Sequence, residues 1–216
     1  FAEKGGGAPN AVLNERIKTR FAPVRNGYED FLQRHPGHVR ARLAYGSFLM
    51  DIHDEDGAEA QWEMARQLDP KNPAAWNNLA DHYADRSPIK KAFEYYAKAI
   101  ELNPIESLYY HNLGTVVYLF RKDAMEFYQL TEQQVFDKAF DLYQKALKLD
   151  PDNFPLASDV AQTYYGVSPM RTEDALQTWT NALQIARDAI EREVVYVHFA
   201  RIKLNAGRFN EARQHL

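Results

Sequence analysis

An all-α stack of paired helices is predicted by three sets of residues that keep one beat. Pro36, Pro70 and Pro104 are spaced by 34 residues, and Pro151 follows after 47, which is 34 plus 13. Tyr28, Trp62, Tyr96 and Tyr143 repeat the steps of 34, 34 and 47, and so do the small residues Gly46, Ala80, Gly114 and Ala161. A period of this size, held at once by prolines, aromatics and small residues, marks repeated supersecondary units. A single unit cannot bury its apolar face alone. The units therefore stack, and the stack curves into a superhelical solenoid with a concave groove.

The elements follow in chain order. Residues 1–10 contain Gly5-Gly6-Gly7 and Pro9 and read as a flexible lead-in. Residues 11–38 form N-terminal capping helices, a half unit. Leu13, Ile17, Phe21, Val24, Tyr28 and Phe31 recur at helical steps, with Pro23 expected to break or bend the run and leave a second helix from about Pro23 to Arg34. The first full unit is 39–72, with Asp54-Glu55-Asp56-Gly57 as the turn between its helices. The second is 73–106, where Asn72 is placed to cap a helix that starts on Pro73, an arrangement repeated by Ser87 and Pro88.

The third unit, 107–153, carries a 13-residue insertion near 121–130. Phe120, Ala124 and Phe127 keep a helical step, so the first helix of this unit is expected to be prolonged by about two turns. Thr131 and Gln134 read as a capping box that restarts the chain. The fourth unit, 154–192, has Thr172 as the expected cap of a helix with Glu173 and Asp174 in its first turn. Arg187 stands where a proline is due, so this helix is expected to run on through Asp188 and Ala189. The fifth unit, 193–216, stops in mid-pattern, and the chain starts on Phe1. Both ends read as cuts in a longer protein.

Composition narrows the function. Lys+Arg 26 against Asp+Glu 30 gives a formal charge of -4, without the basic stripe of a nucleic-acid binder. There are no cysteines, which removes disulfides, thiolate metal sites and cysteine nucleophiles. No stretch is long and apolar enough to span a membrane. His35-Pro36-Gly37-His38 sits at a turn, where Pro36 interrupts any helix that would align both rings on a metal. In Asp51-Ile52-His53-Asp54-Glu55-Asp56-Gly57 the spacing of a calcium loop fails at Ile52. There is no phosphate-binding glycine loop and no serine elbow. No catalytic residue, cofactor or metal is expected, and the chain is read as not an enzyme.

The second unit carries Asn72-Pro73 followed by Trp76, Leu79, Ala80 and Tyr83, then Ala92, Tyr96, Ala99 and Pro104. This resembles the tetratricopeptide repeat with every signature position filled. Units one, three and four match through Gly46, Ala58, Trp62, Ala65 and Pro70, through Tyr110, Leu113, Gly114, Ala139, Tyr143, Ala146 and Pro151, and through Val160, Ala161, Tyr164, Ala175, Trp179 and Ala182. Arg42 departs from the preferred Trp. The resemblance runs from about Pro23 to the end. It implies a right-handed superhelix of antiparallel helix pairs, and the look of the pattern is bacterial, with a soluble protein of cytoplasm or periplasm expected.

In similar repeats, fixed positions of each first helix line the groove. They map here to Arg40, Leu43, Ser47 and Asp51; to Asn77, Asn78, Asp81 and Asp85; to Leu108, His111, Asn112, Thr115 and Tyr118; to Ser158, Asp159, Gln162 and Tyr165; and to Val197, His198, Arg201 and Asn205. Asn78 and Asn112 occupy equivalent places and suit a peptide backbone, since an amide both donates and accepts. The next rungs are Asp159 and His198, so this asparagine ladder is incomplete. The family's clamp for a terminal carboxylate needs cations, and neither register tested supplies them. Asp81, Asp85 and Asp159 point instead to a partner with Lys or Arg, or to a plain solvated acidic face. Met125, Phe127 and Tyr128 of the insertion either pack on a neighbouring helix or form a second partner surface.

The leading reading is a protein–protein interaction scaffold that binds a peptide or partner helix in the concave groove, with a basic partner as one option. Self-association into a homo-oligomer and service as the interaction domain of a larger enzyme are the alternatives.

Overall fold

The computed structural model describes residues 10–86 and 88–215, which are all helix, turn and loop. The expected lead-in at 1–9 and the expected cap Ser87 lie outside the described residues. The chain divides into two compact units, Phe1–Pro104 and Ile105–Leu216.

The first unit holds α1 (Asn10–Arg34), α2 (Val39–Asp51), α3 (Glu55–Leu68), α4 (Pro73–Ala84) and α5 (Ile89–Leu102). Helices α2 and α3 pack as one hairpin, and α4 and α5 as the next. Contrary to the expected break, α1 runs unbroken through Pro23. Its packing explains why. Phe21 meets Phe48 edge-on at 6.0 Å, and Tyr28 stacks on Tyr45 at 4.9 Å. Anchors on both sides of the proline dock on the same helix, which outweighs one missing backbone donor.

The turn between α2 and α3 is shorter than expected. His53 takes a positive φ of 62°, and Asp54 caps α3 by accepting from Gly57 N at 3.2 Å. Glu55, Asp56 and Gly57 are thus helical. A Cβ on Gly57 would lie 2.8 Å from Asp54 Oδ1, so the glycine makes room for the cap. Asn72 caps α4 through Ala74 N, with Pro73 in the first turn. Leu32, Tyr45, Leu49, Ala58, Trp62 and Leu79 form a continuous core across these helices.

The second unit holds α6 (Ser107–Leu119), α7 (Arg121–Tyr128), α8 (Glu132–Leu149), α9 (Phe154–Thr163), α10 (Thr172–Ile185), α11 (Ala189–Asn205) and α12 (Phe209–Ala212), with 3₁₀ turns at Tyr164–Gly166 and Arg213–His215. The insertion does not prolong α6. The helix stops at Phe120, and α7 is a separate two-turn helix closed by Gln129 at φ 56°. Its Ala124 is fully buried. The Thr131–Gln134 capping box then opens α8.

Two further expectations are corrected. Thr172 is the first helical residue of α10, and the cap position belongs to Arg171, which makes no side-chain capping bond. Helix α10 also ends at Ile185 instead of running through Ala189. Asp188 caps a new helix by accepting from Glu191 N at 2.8 Å, while Glu191 Oε2 accepts from Arg187 N at 2.6 Å. That reciprocal arrangement, a cap residue with Glu three positions on, terminates one helix and starts the next. The core here is built on Val135, Phe136, Ala139, Tyr143, Val160, Ala161, Trp179, Val195 and Ile202.

Candidate functional site

In the first unit, the faces of α2 and α4 wall a cleft of about 260 Å³, lined by Ser47, Met50, Asp51, Trp62, Asn78, Asp81, His82 and Asp85. Arg40 is exposed on α2 outside this lining. Asn77 is buried, and its Nδ2 donates to Asp81 Oδ2 at 3.1 Å, so it supports the cleft from beneath. The Tyr96 hydroxyl donates to the other Asp81 oxygen. Much of Asp81 is open to solvent, yet its carboxylate is shielded. Desolvation pushes that carboxyl above its usual range, Asp85 adds to the rise, and the Tyr96 and Asn77 bonds oppose it. Burial and the Asp81 charge hold Tyr96 as a neutral donor.

Asn78 lines the cleft, but its amide is engaged within the unit. In the orientation that satisfies both ends, its nitrogen donates to Ala74 O and its oxygen accepts from Trp62 Nε1, each at 3.2 Å. Trp62 Nε1 also donates to Leu43 O at 3.2 Å. Asn112, half-buried on α6, likewise has partners of its own.

In the second unit, α6 and α9 wall a larger cleft of about 480 Å³, lined by Glu106, Ser107, Leu108, His111, Asp150, Asn153, Pro155, Leu156 and Asp159. His111 Nε2 and Asp159 Oδ2 are 2.7 Å apart. Tyr118 does not line it. Its hydroxyl bonds the Gly166 backbone, and a Cβ on Gly166 would fall 1.8 Å from that oxygen, which explains the glycine. Further along, Gln162 Nε2 donates to Ser158 O at 3.3 Å. Tyr165 Oη lies 2.8 Å from His198 Nδ1, and the Arg201 guanidinium lies 4.5 Å above the Tyr165 ring. Burial, then Arg201, lowers the pKa of His198; burial raises that of Tyr165.

Met125, Phe127 and Tyr128 of the insertion are half-buried. Lys138 Nζ sits 4.2 Å from the Tyr128 ring centroid, and burial pushes the Tyr128 phenol up to about 12. His38 caps α2 by accepting from Ala41 N at 3.1 Å. Among the described residues, no three of His, Cys, Asp and Glu gather as metal ligands, and no helix is long and apolar enough to cross a membrane.

Sequence reasoning placed Asn78, Asp81, Asp85, His111 and Asp159 in these clefts. It also placed Ser47 and Asp51 there, and it missed Met50 at the end of α2 and Glu106, Asp150 and Asn153 in the inter-repeat turns. For the second cleft the signal was available, since Glu106 and Asn153 both cap first helices and both line it.

Residues 73–106 match the sequence model of the tetratricopeptide repeat. The RNA polymerase-associated protein CTR9 of Caenorhabditis elegans is 26% identical over 77% of this chain, which spans 16% of that protein. The photosystem I assembly protein Ycf3 of Acaryochloris marina is 32% identical over 36% of this chain and 47% of its own length. The chain thus spans less than half the length of either relative. Among solved structures, MamA superposes with a TM-score of 0.60 at 23% identity, over 79% of this chain and 91% of that one. YrrB, described as a tetratricopeptide-repeat protein with an unusual peptide-binding site, does so with 0.60 at 13% identity, over 87% and 88%. The thermophilic repeat protein TTC0263 of Thermus thermophilus gives 0.58 at 19%, over 82% and 87%. These likenesses are of fold. Together with the repeat match at residues 73–106 and the helical hairpins they give the chain the fold of tetratricopeptide-repeat proteins.

Proposed function

We propose that this chain is a non-catalytic interaction module that holds an extended peptide or a partner helix against the first helices of its repeats. The observation that carries the reading is the chemistry of the two clefts. Each mixes apolar and acidic lining: Met50 and Trp62 with Asp51, Asp81 and Asp85 in one, Leu108 and Leu156 with Glu106, Asp150 and Asp159 in the other. A Lys or Arg side chain fits such a site, with its stem on the apolar surface and its head among carboxylates. CTR9 is described as RNA polymerase-associated and Ycf3 as an assembly protein, which supports a scaffold role.

Affinity capture with this chain as bait tests the reading. Captured protein should fall away in a variant carrying Asp51→Asn, Asp85→Asn, Glu106→Gln and Asp159→Asn, and with rising salt. Capture undiminished in that variant would remove it. Asn78→Ala is a poorer probe, because it also strips bonds from Ala74 and Trp62.

One observation favours self-association as a second reading. Ile190, Val197 and Leu204 recur at seven-residue steps on α11 and are 72%, 52% and 45% exposed. Sedimentation at increasing concentration tests it, and a mass independent of concentration would count against it.

A further inference from the structure

In the second unit, one layer of side chains on the Tyr164–Gly166 turn, α10 and α11 holds more hydrogen-bond donors than it has acceptors. The repeat itself exposes the imbalance. The aromatic position filled by Trp62, Tyr96, Tyr143 and Trp179 carries a polar hydrogen each time. Trp62 Nε1 donates to Leu43 O, Tyr96 to Asp81, and Tyr143 to Thr115 Oγ1 at 3.2 Å. Trp179 is 0% exposed and its Nε1 meets no acceptor among the described residues. Its ring is covered instead by His198, stacked at 4.1 Å and 11° from parallel.

His198 is a second donor. Its Nδ1 faces the Tyr165 hydroxyl at 2.8 Å. Burial and Arg201 both disfavour a second proton on the ring. With the Tyr165 hydroxyl donating to Nδ1, the neutral ring carries its proton on Nε2. The third donor is Arg201. It is exposed, sits over the Tyr165 ring, and pairs with no carboxylate among the described residues. A guanidinium already held on an aromatic face loses little freedom when it grips a ligand.

We propose that Arg201, His198 and Tyr165 form a binding site for an oxyanion, the carboxylate or phosphate of a bound peptide, with the Arg201 fork as its main partner. His198 Nε2 supplies the second donor, and Tyr165 positions both by stacking under one and fixing the tautomer of the other. The site rests on the peptide-binding reading for its natural ligand, and it is opposite in sign to the acidic clefts. A peptide with a basic and an acidic group at different points along its length would satisfy both.

Small anions test the site without any peptide. The probes are acetate and inorganic phosphate, with acetamide as the neutral control, titrated into the isotopically labelled chain while the Arg201 Nε–H and Trp179 Nε1–H signals are followed. Both signals should shift saturably with at least one anion and not with acetamide. Whichever anion saturates first identifies the group as carboxylate or phosphate. Arg201→Gln, on an exposed residue, should weaken binding by roughly tenfold, the usual scale of a hydrogen-bonded charge. Tyr165→Phe should weaken it less and leave the Arg201 stack. The proposal is overturned by no saturable shift with either anion, by equal shifts with acetamide, or by Arg201→Gln binding as wild type does. Capture undiminished in the variant lacking the cleft carboxylates, with the anion shifts intact, would remove the acidic-cleft reading and leave this site standing.

Discussion

The two units share one hairpin frame and differ in where its polar hydrogens go. In the first, Trp62 and Tyr96 both return their donors to their own hairpins, and the cleft above them is rimmed by Asp51, Asp81 and Asp85. In the second, Tyr143 does the same, but Trp179 does not. The helix that follows it brings His198 and, at Arg201, a cation with no carboxylate partner among the described residues. The frame is set by small residues and aromatics inside each hairpin. The polar groups beside it come from residues that face the next helix, and these change from unit to unit.

The largest expected effect tests the frame. A Cβ on Gly46 would meet Trp62 Nε1 at 2.3 Å and Cδ1 at 2.5 Å, on an indole already bonded to Leu43. On Gly114 it would meet Tyr143 ring carbons at 2.8 and 2.9 Å. Gly46→Ala should therefore cost about 3 kcal/mol, even after the helix-propensity gain, and Gly114→Ala nearer 1–2 kcal/mol. Gly27 in α1 has nothing within 4 Å, so Gly27→Ala should stabilise by about 0.5–1 kcal/mol. Denaturant unfolding of the three variants checks this order. A Gly46→Ala protein as stable as wild type would break the idea that close approach at this position defines the hairpin.

The insertion comes next. Ala124 is fully buried against its neighbours, so Ala124→Asp should lower stability by roughly 2–3 kcal/mol, the scale of an unsatisfied buried polar group. Deleting Asp123 to Leu130 separates the two roles open for α7. Lost stability makes it a packing element, and retained stability with lost capture makes it a docking surface.

A smaller effect compares equivalent donors directly. Tyr96 gives its hydroxyl to a charged acceptor and Tyr143 to a neutral one. Tyr96→Phe should cost about 1.5–3 kcal/mol and Tyr143→Phe about 0.5–1.5 kcal/mol. Thermal melts in parallel read the difference. Equal losses would mean that the Asp81 carboxylate is better hydrated than its bonding suggests.

The repeat was legible because its marks are local and recur. Gly46, Ala80, Gly114 and Ala161 are all buried where small residues were expected, and the Thr131–Gln134 box needed only four residues to be read. What failed depended on competition. Pro23 argues for a break by backbone chemistry, but Phe21 and Tyr28 hold α1 straight from either side, and no local rule weighs that packing. The end of α10 was readable from Asp188 and Glu191, yet Arg187 at the proline position argues for continuation. The clefts were partly visible through Asp81, Asp85 and Asp159. Groove positions that turn inward were not. Asn77 and Tyr118 sit at groove register, but their polar atoms serve Asp81 and Gly166. Which face of a helix a side chain serves depends on what stands opposite it, and that is set by the fold.

The smallest expected effect is the pH response of the second unit, and it bears on the contrast most directly. His198 has its pKa lowered from 6.5 by burial first and by Arg201 second. Below 6.5 the unfolded chain therefore binds a proton on this ring more readily than the folded chain does. The contribution of His198 to stability is fully present above that value and is lost as pH falls through the lower folded value. Proton titration of the His198 ring by NMR should place its midpoint below 6.5, and Arg201→Gln should raise it by removing the nearby positive charge. His215, also lowered by burial, leaves a residual slope in any global measurement, so the site-resolved signal decides. A bound oxyanion should raise the His198 midpoint, since it favours the protonated ring, and phosphate or acetate should do so only while Arg201 is present. A midpoint at or above 6.5 in the free protein would mean that His198 is solvated in place of being stacked on Trp179 and bonded to Tyr165, and the distinction between the two units would reduce to their carboxylates alone.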